Sequence, residues 1–417
     1  MSLHRREFLR RASYGLAAAP FAVVFSCSPL TERRGSSVIE ADPNGILDVR
    51  AGLTVTVLDR KGDLMSDGFV SPARPDGMAC FENDGGSWVL MRNHEIDRDH
   101  IGSDDGIGGY ELDAVPSQAY SSADLGGVSR LVVDPATLAV SSSNLSLTGT
   151  RKNCAGGAAP MGWFTCEETI DDGGQHGFVF LCDPNADSLQ PPQRIDAYGR
   201  FVHEAAGFDP ATSICYLTED RNESCLYRFL PESPDRPFDG QLQAMRVIDR
   251  PRFSTSDMAV GDTVSVDWID VPDPLAGLDL PEQCQGLGAA VVARGEGCWF
   301  NDDRLVFVST SGGKAGKGQI FEVSTSDELT VIAEATDEEA MSGPDNVVIA
   351  PDGSIYFAED NGGDCLIQRI SRAGTLEPIA RSTEGGDEIA GLCFSPDGAV
   401  LFANVQGLGV TLAISGL

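Results

Sequence analysis

The sequence predicts an all-β fold, a six-bladed β-propeller with loop insertions over one mouth of its channel. Three observations carry the expectation. A short unit recurs six times: an acid or Cys, an apolar strand, a Gly/Asp-rich turn, a second apolar strand and, in most copies, a closing acid. Most copies start roughly 40–50 residues after the previous one, the length of one propeller blade, and two longer spacings mark insertions. From Leu53 onward, alternating apolar strands dominate, and no long segment with a 3.6-residue period interrupts them.

The chain opens with His4-Arg5-Arg6-Glu7-Phe8-Leu9 ahead of the apolar run Tyr14–Phe25. That run is short for a bilayer span, and paired arginines before it mark a twin-arginine export signal over residues 1–26. It ends at Ser26-Cys27, a lipoprotein-like box with a bulky Phe25, so Cys27 is a candidate lipid anchor. Residues 27–50, rich in Ser, Pro and Arg, read as a tether, and residues 51–417 as a single propeller domain. The repeats then follow: DGMACFENDGGSWVLMRNHE from Asp76, CAGGAAPMGWFTCEE from Cys154, EAAGFDPATSICYLTED from Glu204, EGCWFNDDRLVFVSTSGG from Glu296, DNVVIAPDGSIYFAED from Asp345 and EIAGLCFSPDGAVLFANVQ from Glu388. Asp97–Ala123 and Pro231–Gln285 break the rhythm and are the expected insertions at the mouth. The first and last strands are expected to close the ring by sharing a blade.

Blades are set radially, so equivalent positions face one channel. The leading positions carry Asp76, Cys154, Glu204, Glu296, Asp345 and Glu388; the closing ones carry Glu95, Glu167, Glu168, Glu219, Asp220, Glu359 and Asp360. Facing carboxylates cannot all ionise without counter-charge, and metal cations are the natural source. The channel therefore reads as a metal site.

A formal charge of −33 excludes nucleic acid and anionic lipid surfaces as partners and suits a soluble exported protein in a divalent-rich medium. Export permits disulfides among the 11 Cys, although Cys215, Cys225, Cys298 and Cys393 sit in or beside apolar strands and read as small buried hydrophobes. Without a CxxC pair, neither a thioredoxin-like site nor a zinc ribbon is indicated.

Cys154 stands where the other repeats place carboxylates; it is either a buried structural Cys or a thiolate that binds a transition metal. Thiolate plus carboxylates favours iron over zinc, and the surplus oxygens suit calcium. His94-Glu95 and His203-Glu204 open no HExxH motif, and His203 reads as a supporting hydrogen-bonding group. Gly312–Gly318 is a spoiled phosphate loop, one residue short, and reads as a turn. Arg294, two residues before Glu296, puts a guanidinium beside the ring, where it grips phosphate oxygens or merely balances charge. Metals with such an Arg are the parts of a phosphatase, in which a metal-bound hydroxide or oxo group attacks in line.

The segments NCAGGAAPMGWFTCEE, GRFVHEAAGFDPATSICYLTED, SCLYRFLP, ARGEGCWF, STSGGKAGKGQIFEV, PDNVVIAPDGSIYFAED and EIAGLCFSPDGAVLFANVQGLGVTLAI together resemble the PhoX family of bacterial alkaline phosphatases, from about Asp76 to Ile414. The resemblance implies a six-bladed propeller exported by the twin-arginine route to the periplasm, cell envelope or medium, with Fe3+ and Ca2+ in its channel. It implies hydrolysis of a small phosphate ester by a monomer with no membrane span. By position it implies iron binding at Cys154, and iron or calcium binding at Glu204, Asp220 and Glu296. Glu359 is similar to a later calcium-binding acid, one of Glu167 and Glu168 reaches metal, and Arg294 resembles the Arg on the phosphate. Glu95, Asp345 and Asp360 follow from ring position more than from a motif. The chain is short for the family, and APMGWF stands where a Pro-Trp pair is expected.

Two other readings compete. A calcium-dependent lactonase or esterase propeller needs one buried calcium and an acid/base residue but no thiolate. A non-catalytic envelope propeller would use calcium only to stiffen the channel and its insertions to bind a partner.

Overall fold

The computed structural model describes residues 38–83, 85–171, 173–301, 303–336, 341–383 and 387–417. The signal segment and Cys27 lie outside the described residues. Among those described, no helix is long and apolar enough to cross a membrane, and the single α-helix, α1, is Leu280–Gly286.

Strands β1 (Ile39–Glu40), β2 (Leu47–Arg50) and β3 (Thr54–Arg60) precede the first repeat. Repeat 1 forms β4 (Pro75–Glu82), β5 (Trp88–His94), β6 (Gly126–Val133) and β7 (Val140–Thr150). Repeat 2 forms β8 (Asn153–Ala159), β9 (Gly162–Glu167), β10 (Val179–Cys182) and β11 (Arg194–Ile195). Repeat 3 forms β12 (His203–Phe208), β13 (Cys215–Glu219), β14 (Tyr227–Pro231), β15 (Gly240–Val247) and β16 (Thr263–Asp270). Repeat 4 forms β17 (Gly295–Asn301), β18 (Arg304–Ser309), β19 (Gln319–Ser324) and β20 (Glu328–Glu334). Repeat 5 forms β21 (Pro344–Ile349), β22 (Ile355–Glu359), β23 (Leu366–Ile370) and β24 (Leu376–Ser382), and repeat 6 forms β25 (Ile389–Phe394), β26 (Val400–Val405) and β27 (Val410–Ser415).

The arrangement is all-β and propeller-like. The first strands of the repeats touch in order, β4 to β8, β8 to β12, β12 to β17, β17 to β21, β21 to β25 and β25 back to β4, so they enclose one centre. The hydrogen-bonded sheets number five where six separate blades were expected, because β16 pairs with both β15 and β20 and fuses repeats 3 and 4 into one nine-stranded sheet. Its alternating TVSVDWID suits a strand, so much of the second expected insertion seals two outer sheet edges. Residues 39–50, read as tether, also join the fold: β2 pairs with β24, and Asp42 caps the intervening turn by accepting from the N–H groups of Asn44, Ile46 and Leu47. Ring closure is as expected, β3 pairing antiparallel with the last strand, β27. Behind that seam the buried Arg92 meets Asp59 at 2.8 Å and donates to Thr411, Ser71 and Ser129.

The core lies in the wedges between sheets. Phe164, Phe208, Tyr227 and Leu217 fill the space between repeats 2 and 3, and Leu305, Phe307, Phe321 and Met245 that between repeats 3 and 4. Truncating such a side chain to Ala costs about 3–5 kcal/mol, which is why the strands that carry the site are held rigidly.

A candidate metal centre

Each inner strand carries a β-bulge at its mouth end. In repeat 1, Pro75 pairs with His94 and Met78 with Arg92, leaving Asp76 and Gly77 opposite Asn93 alone. The same irregularity falls at Cys154/Ala155, Glu204/Ala205, Glu296/Gly297 and Asp345/Asn346. A bulge re-aims side chains at the end of a ladder. In the first five repeats the first bulge residue carries the acid or thiol, and the second, Gly or Ala in four of them and Asn346 in the fifth, forms the floor. Gly77, Ala155, Ala205, Gly297, Asn346 and Leu392 leave a cavity of only about 10 Å³ beneath the ring, at the limit for one water.

The bulged side chains converge. One ligand atom each of Glu95, Cys154 and Glu168 lies within 4.8 Å of the others, and so does one each of Glu204, Glu296 and Asp345. The Cys154 thiol donates to Glu204 Oε1 at 3.2 Å and joins the two groups. Asp220 lies beside both Glu168 and Glu296. Burial, with Asp76 and Glu204 alongside, pushes the Cys154 thiol well up. Burial and the neighbouring carboxylates likewise raise Glu168, Glu204, Glu296 and Asp345 well above the carboxylate range, and Asp76 to about 7. These groups resist ionisation beside one another, which a multivalent cation relieves. Glu204 Oε2 is buried with no hydrogen-bond partner among the described residues. An orphan oxygen beside a thiol and five carboxylates fits a metal centre.

Strand alternation sorts the closing acids. Glu167, Glu219 and Glu359 turn back into their own repeats. Glu167 binds His176 at 2.7 Å and accepts from the N–H groups of Arg151, Gly177 and Phe178. Glu219 accepts from the Tyr227 hydroxyl, and Glu359 from Gln368 and the Ser342 N–H. Glu95, Glu168, Asp220 and Asp360, one residue further on, face the centre because side chains alternate along an extended chain. Of the acids expected at the metal, Glu359 and Glu167 thus make their hydrogen bonds within their own repeats and bridge loops, whereas Glu168, the other member of the Glu167–Glu168 pair, lies with Glu95 and Cys154. Glu388 also departs from its expected place. Its backbone occupies the position of Arg74, Lys152 and Arg294, the Gln406 N–H bonding its carbonyl as those of Glu95, Glu168 and Thr310 bond theirs. At the sixth bulge stands Gly391, at φ +67°, where a Cβ would lie 2.3 Å from the Asp76 carbonyl oxygen. Glu388 is nevertheless raised by burial and by Asp76, Asp345 and Glu95.

Three cations rim the ring at one repeat position, two residues before the bulge: Arg74, Lys152 and Arg294, with φ of 48°, 52° and 51°. Their left-handed backbone is uncommon outside Gly, and such strain concentrates at functional sites. Arg294 Nε and Nη2 clamp Asp220 at 2.6 and 2.9 Å, and Nη2 meets Glu296 at 2.8 Å. Burial alone would raise Asp220, but Arg294 holds it below its ordinary value. Arg74 Nη2 meets Glu95 at 2.6 Å; Lys152 Nζ meets Glu168 at 2.7 Å and Glu95 at 3.4 Å. Sequence reading found Arg294 and missed the other two, although RPD, KNC and RGE, set in register, show the shared position. His203 is structural: Nε2 lies 3.1 Å from the Gly199 carbonyl, the ring stacks on Phe201, and burial lowers its pKa to about 3. All ten described Cys are free, and Cys215, Cys225, Cys298 and Cys393 are buried as expected. Lys314 and its neighbours form a turn, the Lys314 N–H bonding Glu334.

Fold and site define a propeller-like protein with an acid- and thiol-lined centre able to hold metal. The pattern of the family described as alkaline phosphatase PhoX matches residues 134–409. The chain belongs to the PhoX family, whose activity is metal-dependent hydrolysis of phosphoric esters. Among solved structures it is similar to Pseudomonas fluorescens PhoX in complex with vanadate, a transition state analogue, at TM-score 0.71 and 16% identity, covering 91% of this chain and 97% of that one. It is more distantly similar to a gluconolactonase from Xanthomonas campestris, at TM-score 0.48 and 10% identity over 92% and 99% of the two chains. Among curated proteins, none matches in sequence.

Proposed function

We propose that this phosphatase hydrolyses small phosphate monoesters at the mouth of a single six-bladed propeller, residues 51–417, using iron and calcium held by the ring. The observation that carries the reading is a half-buried thiol in contact with Glu204, amid carboxylates from five repeats and beside three cations. Six blades follow if the nine-stranded sheet is taken as two four-stranded blades bridged by β16. Cys154, Glu95 and Glu168 would hold one part of the metal cluster and Glu204, Glu296 and Asp345 another, with Asp220 between them. Bound there, iron and calcium would supply Lewis acidity toward phosphoryl oxygens and lower the pKa of water.

The chain's own groups do the rest. A dianionic ester is repelled by an acid-rich centre, and Arg74, Lys152 and Arg294 offset that at the rim. Asp220 holds two nitrogens of the Arg294 guanidinium, so its remaining donors keep fixed directions, suited to equatorial phosphoryl oxygens. The closely packed floor leaves space for about one water beneath the ring. Neither a lactonase nor a binding propeller accounts for the thiol–carboxylate contact. The segment 1–26 would direct twin-arginine export to the periplasm or beyond, with Cys27 as a possible site of lipidation, and a monomer suffices.

The test is release of p-nitrophenol from its phosphate ester at alkaline pH with calcium present. Wild type should turn over, Arg294→Ala should lose at least about 100-fold in kcat, and Cys154→Ala should be inactive. A metal-loaded wild type inert on a panel of phosphate esters would overturn the proposal.

A further inference from the structure

We infer that Asn93, Thr218 and Asn404 are positioning residues that fix the ring across repeat boundaries, each by holding the peptide carbonyl of the neighbouring repeat's bulge residue. The three are buried polar side chains on second strands, at or beside the residue that faces their own bulge. Asn93 Nδ2 donates to the Cys154 and Ala155 carbonyls, both at 2.8 Å, and its Oδ1 accepts from Trp163 Nε1 at 2.7 Å. Thr218 Oγ1 donates to the Glu296 carbonyl at 2.5 Å and accepts from the Ala205 N–H of its own bulge at 3.0 Å. Asn404 Nδ2 donates to the Asp76 carbonyl at 2.6 Å, and its Oδ1 accepts from Thr411 Oγ1 at 2.7 Å.

The pattern is selective. Where repeats 2, 4 and 5 meet their successors, the residue facing the bulge is Cys166, Val308 or Ala358: Val308 and Ala358 carry no donor, and the Cys166 thiol is only a weak one. The clamped carbonyls belong to Asp76, Cys154 and Glu296, so each of the two ligand groups contains one clamped member. A bulge leaves its extra residue without a ladder partner. A side-chain donor from the preceding repeat replaces the missing bond and sets where the ligand atom stands. Groups that orient metal ligands in this way typically contribute about ten- to a hundredfold to metal affinity or activity when removed.

Thr218→Val gives a direct test, because Val308 fills the equivalent place in repeat 4 and shows that Val suits the fold there. This rests on the metal-centre proposal above, so the readout is metal retention, which needs no turnover. The purified full chain, Thr218→Val and the hydroxyl-preserving Thr218→Ser would be challenged with a calcium and iron chelator and residual metal followed by elemental analysis. Thr218→Val should keep its thermal midpoint within a few degrees yet lose metal about tenfold faster, with kcat reduced and KM unchanged; Thr218→Ser should restore both. Equal metal retention in wild type and Thr218→Val would overturn the inference, and so would a loss that Thr218→Ser does not restore. A wild type that retains metal but hydrolyses no phosphate ester would count against the phosphatase mechanism alone.

Discussion

Replacing His176 by Asn removes a cation from between Glu167 and Asp124, and its cost should depend on pH. Nδ1 lies 2.7 Å from Glu167 and Nε2 3.3 Å from Asp124, whose other partners are Arg98 and Ser121. Tyr120 packs edge-on against the ring, Arg200 donates to the His176 carbonyl, and Asp171 accepts from its N–H. Burial would lower the imidazole, but the two carboxylates outweigh it and hold the pKa at about 9 against an ordinary 6.5. A raised folded-state pKa contributes stability in full below about pH 6.5, and the contribution is lost as pH rises through about 9. The whole shift converts to about 3.4 kcal/mol. Arg98, half in solvent, competes for Asp124, and screening reduces the expected contribution to roughly 2 kcal/mol. Denaturant unfolding followed by Trp fluorescence, between pH 6 and 10 at fixed metal concentration, measures it. Wild type should exceed His176→Asn most at pH 6, with the gap narrowing by roughly 2 kcal/mol toward pH 10. A constant or widening gap would refute the ion-pair account.

Glu168→Gln should lower metal content and reduce turnover by about 10- to 100-fold. Glu167→Gln should instead keep its metals while losing about 1–3 kcal/mol of stability, a contrast that elemental analysis and unfolding midpoints separate. Gly297→Ala would place a methyl 2.7 Å from the Asp345 carbonyl oxygen and 2.8 Å from the Val347 N–H nitrogen. Backbone cannot yield cheaply there, so the unfolding free energy should fall by about 1–3 kcal/mol. Arg92→Met leaves Asp59 buried without its cation at the closing seam and should cost about 3–5 kcal/mol, partly recovered by adding Asp59→Asn, in the same unfolding assay.

The repeat was legible because it rests on local chemistry: alternating apolar strands, Pro-Asp-Gly turns and an acid at each mouth all read from single segments. Most of the ring followed, since radial repetition brings equivalent residues together whatever lies between them. What escaped depends on register. The pleat decides between Glu167 and Glu168, and between Glu359 and Asp360, and the bulge that sets the phase leaves no mark beyond a small residue after the ligand. In the sixth repeat, Glu-Ile-Ala-Gly looks like another ring entrance, yet its bulge falls at Gly391 and moves Glu388 to the rim. The cations Arg74 and Lys152 were hidden by the same one- or two-residue uncertainty. β16 was hidden by its Pro- and Asp-rich surroundings, which read as loop until a second sheet edge is there to pair with it.

Elemental analysis of the full chain, exported and purified without chelator, tests the metal-centre account most directly when wild type is compared with Cys154→Ala and Glu204→Gln. The account predicts iron together with calcium in wild type, with iron lost from Cys154→Ala and total metal reduced in Glu204→Gln. Calcium without iron in wild type, or metal content unchanged by either substitution, would contradict it.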